Sequence, residues 1–149
     1  MKKIRQFVIA FLLLFTFCIP TVYAATPQTI STTEVVYFED GTYIEITTTV
    51  SSNNLRSKIT DASKEYLCKN FLGDKLFSYT LYGRFEYDGS TSEALDVSSL
   101  VHIYDSEWTF GSKRESYSGN TVYGSATFGG PQIKTVGGSI SCDKNGNIT

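Results

Sequence analysis

From Glu34 onward, apolar and polar side chains exchange places at almost every second residue, and turn-forming residues interrupt the alternation at roughly 8–14-residue spacing. Period two is the signature of extended backbone, because successive side chains of a strand point to opposite faces. The plainest case runs from Leu76 to Tyr87, where Phe77, Tyr79, Leu81, Gly83, Phe85 and Tyr87 share one face and Ser78, Thr80, Arg84 and Glu86 lie on the other. Two β-prone runs, Val35 to Phe38 and Tyr43 to Val50, flank Glu39-Asp40-Gly41-Thr42, and an Asp-Gly pair in that setting predicts a hairpin. In the second run Ile44, Ile46, Thr48 and Val50 form one face against Tyr43, Glu45, Thr47 and Thr49.

Further runs follow the same rule. Val97 to Tyr104 places Val97, Val101 and Ile103 together, and Glu107 to Glu115 aims Trp108 and Phe110 the same way. Val122, Gly124, Ala126 and Phe128 alternate with polar residues, as do Val136, Gly138, Ile140 and Cys142. Gly73-Asp74, Asp88-Gly89-Ser90, Ser118-Gly119-Asn120 and Gly129-Gly130-Pro131 supply the turns, and the polar stretch Ser51 to Ser57 reads as a loop. The pattern predicts an all-β domain, an antiparallel β-sandwich or open barrel of about seven to eight strands. Only Asp61 to Leu72 is ambiguous locally. Asp61 can cap a helix that Gly73 ends, while Ala62, Tyr66 and Cys68 also fit a strand.

The N-terminal residues break the alternation and change the picture. Lys2, Lys3 and Arg5 precede an apolar run from Phe7 to Ile19 that is short for a membrane-spanning helix of about 20 residues, and Val22-Tyr23-Ala24 supplies a cleavage site. Residues 1–24 are therefore expected to be a signal peptide and the protein to be secreted. Residues 25–33, rich in Thr and Ser, are expected to form a flexible lead-in, and residues 34–149 a single domain. With no wall-sorting motif or closing apolar helix after the domain, no membrane association is expected once the leader is cut. Cleavage removes three basic residues and moves the net charge from −2 to about −5, which disfavours nucleic acid as a partner. Cys68 and Cys142 are the two cysteines outside the leader, so in an oxidising compartment they are either a disulfide or two separately buried thiols.

The runs YFEDGTYIEITTT (from Tyr37), LFSYTLYGRFEYDGST (from Leu76) and SISCDKNGNIT (from Ser139), in this order and spacing, resemble a group of small exported all-β proteins of Gram-positive, often anaerobic, bacteria with no assigned activity. The resemblance spans Val35 to Thr149. It implies that Ser63-Lys64-Glu65-Tyr66-Leu67-Cys68-Lys69-Asn70 is a strand before a turn, which settles the ambiguous segment in favour of strand. The related sequences often carry a cysteine after the position of Thr91, where this chain has Ser92-Glu93-Ala94. That departure leaves Cys68 as the substitute partner of Cys142.

Catalytic chemistry finds little support in these residues. His102 is the only histidine and alternates with Val101 and Ile103, which makes it a strand-face residue rather than a base. Two cysteines and one histidine at these separations match no zinc spacing, and Asp143-Lys144-Asn145-Gly146-Asn147 reads as an Asn-Gly turn rather than a calcium loop. No metal or cofactor is expected. Asp88, Glu93 and Asp96 are the carboxylates available to a secreted hydrolase, the rival reading. Aromatic content points elsewhere, since nine tyrosines remain outside the leader and they cannot all share one core. Those left outside can stack on sugar rings or anchor a protein partner, although the same rings can simply stabilise cross-strand neighbours. The expected function is non-enzymatic binding of a cell-surface glycan, peptide or protein, with Tyr43, Tyr82, Tyr104 and Trp108 as the contact residues. A structural or self-associating role is the third reading.

Overall fold

The computed structural model describes residues 28–52 and 58–149. The expected signal peptide and residues 53–57 of the expected 51–57 loop lie outside the described residues, while Ser51 and Ser52 of that loop are strand. The described residues form eight strands: β1 (Gln28–Tyr37), β2 (Tyr43–Ser52), β3 (Ile59–Lys69), β4 (Lys75–Tyr87), β5 (Ser92–Ile103), β6 (Thr109–Ser118), β7 (Thr121–Gly129) and β8 (Lys134–Ser141). They form two antiparallel meanders, a five-stranded sheet in the order β1-β2-β3-β4-β5 and a three-stranded sheet in the order β6-β7-β8. The sheets pack face to face without closing into a barrel, so the architecture is a β-sandwich. Asp61 to Lys69 is strand, as the resemblance implies.

The inner faces follow the alternation read from the sequence. Phe77, Tyr79, Leu81 and Phe85 of β4 are fully buried and meet Val122, Ala126 and Phe128 of β7 and Ile140 of β8. Phe77 stacks on Phe128 at 3.9 Å between centroids. Two tyrosines at the centre, Tyr66 and Tyr79, need room for their hydroxyls, and the opposing sheet supplies it with glycines. A Cβ on Gly138 would meet the Tyr66 hydroxyl, and one on Gly124 would meet that of Tyr79.

The turns share one device, in which an Asp or Asn carbonyl-type oxygen accepts backbone N–H groups two to four residues ahead. Asp40 accepts from Thr42, Asn70 from Leu72 and Asp74, Asp88 from Ser90 and Thr91, and Asp143 from Asn145 and Asn147. Gly41 takes φ +82° within the first of these, a conformation that glycine adopts at little cost and that is strained for a residue with a Cβ.

Two further boundaries differ from expectation. Gln28 to Thr33, expected to be flexible, form the first half of β1 and pair with Ser52 to Thr47 of β2. Low apolar content misled here, because β-branched threonine is a good strand former and its hydroxyl can pair across the ladder. Thr33 and Thr47 share such a bond at 3.0 Å. The fifth strand begins at Ser92 rather than Val97, since a bulge that inserts Leu95 opposite the Arg84–Phe85 step carries the pairing back to the turn.

The three-stranded sheet covers β3, β4 and β5 but not β1 or β2. Besides the β2–β3 ladder, the uncovered hairpin is tied to the small sheet by Lys134 at the start of β8. Its ammonium donates to Asp40 Oδ2 at 2.7 Å and to Thr42 Oγ1 at 2.8 Å, and lies 4.3 Å from the centre of the Phe38 ring.

Candidate functional site: the outer face of the large sheet

Because the inner face takes the apolar half of each strand, the outer face of the five-stranded sheet collects the other half. Its centre is a groove of about 330 Å³ bounded by Tyr82 and Arg84 of β4, with Asp61 and Ser63 of β3 on one side and Asp96 and Ser98 of β5 on the other. Small serines on either side of a tyrosine and an arginine make the depression. Tyr82 is 41% exposed. Arg84 makes a forked contact with Asp61, Nε to Oδ1 at 2.8 Å and Nη2 to Oδ2 at 3.3 Å, and Asp96 stands opposite Arg84 in the β4–β5 register. The groove thus offers one ring face, a guanidinium, two carboxylates and several hydroxyls.

A second feature crosses the same face at one end. Tyr37 pairs with Tyr43, Tyr43 with Lys69, and Lys69 with Lys75, so that β1 to β4 contribute an aromatic, aromatic, cation, cation row. Tyr104, just beyond β5, completes it. The Lys75 ammonium lies 5.3 Å from the centre of the Tyr104 ring, and His102 packs on that ring at 4.3 Å. Tyr37 and Tyr43 are tilted against each other at 5.5 Å, and Lys69 donates to Glu45 Oε1 at 2.7 Å beside them. Four strand spacings separate Tyr37 from Tyr104, roughly 19 Å.

The structure therefore brings Tyr43 and Tyr104 into one row and sets Tyr82 apart from them. Tyr82 is level with Ser63 and Thr49, six residues along β2 from Tyr43, or roughly 20 Å. Trp108 does not join these residues. It is 5% exposed and packs on Phe77 at 4.9 Å, because the turn at Asp105, whose carboxylate accepts from the Glu107 N–H, folds the chain back so that the indole seals the end of the sandwich. Alternation correctly placed Trp108 with Phe110 but carried no information on which layer would receive them. Lys69, Lys75 and Arg84 had no signal of their own in the sequence, where each reads as an ordinary polar position; only register assembles them.

The disulfide is a correction too. Cys68 and Cys142 are both free and fully buried. Cys68 faces Phe77 near the start of β4, whereas the carbonyl of Cys142 accepts from Ser92 Oγ beside the turn that follows Tyr87. Ten residues of β4 lie between those levels, roughly 30 Å, and a bridge requires Cα atoms within about 7 Å. Burial pushes both thiols up to about 11.

The three carboxylates named for hydrolysis are all exposed. Asp88 holds its own turn by accepting from Ser90 and Thr91, Glu93 pairs with Glu86, and Asp96 faces Arg84. Among the described residues no three His, Cys, Asp or Glu side chains converge as metal ligands. Comparison with protein-family models, curated proteins and solved structures gives no match to this chain.

Proposed function

We propose that the chain is an exported, non-enzymatic binding domain that receives a glycan on the outer face of its five-stranded sheet. Export follows from the leader in residues 1–24, and the reading agrees with the resemblance to small secreted all-β proteins. The observation that carries it is the exposure of Tyr37, Tyr82 and Tyr104 on one sheet face, where hydroxyls and charged groups are interspersed with the rings and with the exposed side chains of Val35 and Leu100. The exposed part of each ring contributes nothing to folding by burial, yet it offers a flat apolar surface at little entropic cost to the C–H face of a sugar. The neighbouring Arg84, Asp61, Asp96, Ser63 and Ser98 supply the donors and acceptors that sugar hydroxyls require. A protein interface of comparable area would be expected to present a contiguous apolar centre. The outer face instead intersperses its rings with polar groups.

The test is binding to a panel of bacterial and host polysaccharides by glycan array, followed by calorimetry on the strongest hit. Tyr82→Ala and Tyr104→Ala should each weaken binding by about tenfold, the effect of losing a contact worth more than about 1 kcal/mol. Trp108→Phe should leave affinity unchanged. No binding across the panel, or binding indifferent to both tyrosines, would dismiss the proposal.

A further inference from the structure

Among the described residues the sandwich has four sheet edges, and three of them are blunted. Along β5 the Ala94 N–H is taken by the Gly119 carbonyl, Lys113 Nζ sits on the Ser99 carbonyl at 3.1 Å, and the Leu95 bulge disturbs the line of the strand. Along β6 a bulge at Gly111 is followed by three consecutive charges, Lys113, Arg114 and Glu115. Along β8 Lys64 Nζ donates to the Ser139 carbonyl at 3.0 Å, Gly137 bends the backbone to φ +151°, and Ser141 exchanges both its backbone bonds with Thr149. Lysines, bulges and covering segments are the means by which native sheets avoid pairing with other chains.

β1 has none of them. Its ten residues contain no Lys, Arg, Pro or Gly, it pairs with β2 without a bulge, and among the described residues nothing bonds to its free edge. It also lies beyond the cover of the small sheet, so Ile30 and Val36 are 64% and 45% exposed on the inner side. A long, regular, nearly uncharged edge is a template for another strand.

We propose that two copies of this chain pair antiparallel through β1 about a two-fold axis at Thr33, joining two five-stranded sheets into one of ten strands. The sequence of β1 is self-complementary in that register. Ile30 of each copy meets Val36 of the other, Val35 meets Ser31, and Glu34, the only charge in the strand, meets Thr32. Moving the axis by one residue to Glu34 would set two carboxylates face to face, which disfavours it. The contact is isologous and closes at two copies. Because the axis stands perpendicular to the sheet, both outer faces point the same way. If the glycan reading holds, the dimer presents two sites to one surface and gains avidity, but the pairing itself rests only on the edge.

Sedimentation equilibrium of the processed protein, from micromolar to near-millimolar concentration, tests it. The weight-average mass should rise from one chain toward two and stop there. Thr33→Lys places two ammonium groups opposite each other at the axis and should hold the mass at one chain with an unchanged circular dichroism spectrum, whereas Ser112→Lys on β6 should leave the dimer intact. Thr33→Cys should cross-link pairs under mild oxidation, and Thr29→Cys should not. A mass of one chain at every concentration overturns the proposal, and so does a dimer that survives Thr33→Lys.

Discussion

At the scale of single residues, the pairing of Lys134 with Asp40 is the contact with the clearest consequence. Lys134 is buried, and its ammonium holds the Asp40 carboxyl down at about 2 from an ordinary 3.8, with Thr42 hydrogen bonds adding to the effect. A carboxyl whose pKa is lower in the folded than in the unfolded chain stabilises the fold above the unfolded value and loses that contribution as pH falls through the folded value. Thermal melts should therefore show the protein losing stability between about pH 4 and pH 2, and Asp40→Asn should flatten that part of the profile relative to wild type. Asp40→Ala at neutral pH leaves a buried cation with less to pair with and should cost about 1–3 kcal/mol in chemical denaturation. Lys134→Met should cost less, because it removes the charge together with its desolvation penalty. Nothing in the alternation marked either residue. Asp40 reads as a turn former and Lys134 as a polar strand start, and their partnership spans most of the chain.

At the scale of elements, the strands were legible because each is decided by local backbone preference and by one buried face. β4 is the simplest case, in which every second side chain from Phe77 to Phe85 is buried or is a glycine facing the core. β1 was half missed, since threonines and serines satisfy a ladder without supplying the apolar residues by which strands are recognised. Between elements, the fit of tyrosine to glycine sets how closely the sheets approach. A methyl group at Gly124 would overlap the Tyr79 hydroxyl and crowd Leu81 Cδ1. Among the described residues, that hydroxyl is buried with no hydrogen-bond partner, and burial raises its pKa. Gly124→Ala should accordingly destabilise by about 1–3 kcal/mol. Tyr79→Phe alone should be close to neutral, because it deletes an unsatisfied polar group together with its desolvation cost. The double variant should fall short of the sum of the two by about 0.5 kcal/mol or more in urea titrations, since the phenylalanine no longer carries the clashing atom.

At the scale of the whole molecule, the two cysteines are held at opposite ends of the same core, inert for the same reason. With both thiols pushed up to about 11 by burial, alkylation at pH 8 should be slow in the native state and should label two sites once the protein is unfolded. The native mass should be unchanged by reductant. Labelling of neither thiol in denaturant without reductant would mean that they had paired. The outer face is also a property of the whole sheet. Tyr43 and Tyr104 are 61 residues apart in sequence and join one row only because three hairpins bring β2 to β5 side by side in register.

Alternation and turn chemistry, both local, were enough to specify extended strands, their apolar faces, most turn positions and the all-β class. Those properties depend on steric limits and burial within a few residues of each position. Tertiary structure alone decided which strands the second sheet covers, that Trp108 belongs to the core, that the cysteines stand too far apart to bond, and that β1 is left as an open edge. Each of these depends on which distant strands pair and how far one sheet extends past the other, distances that no short stretch of sequence encodes.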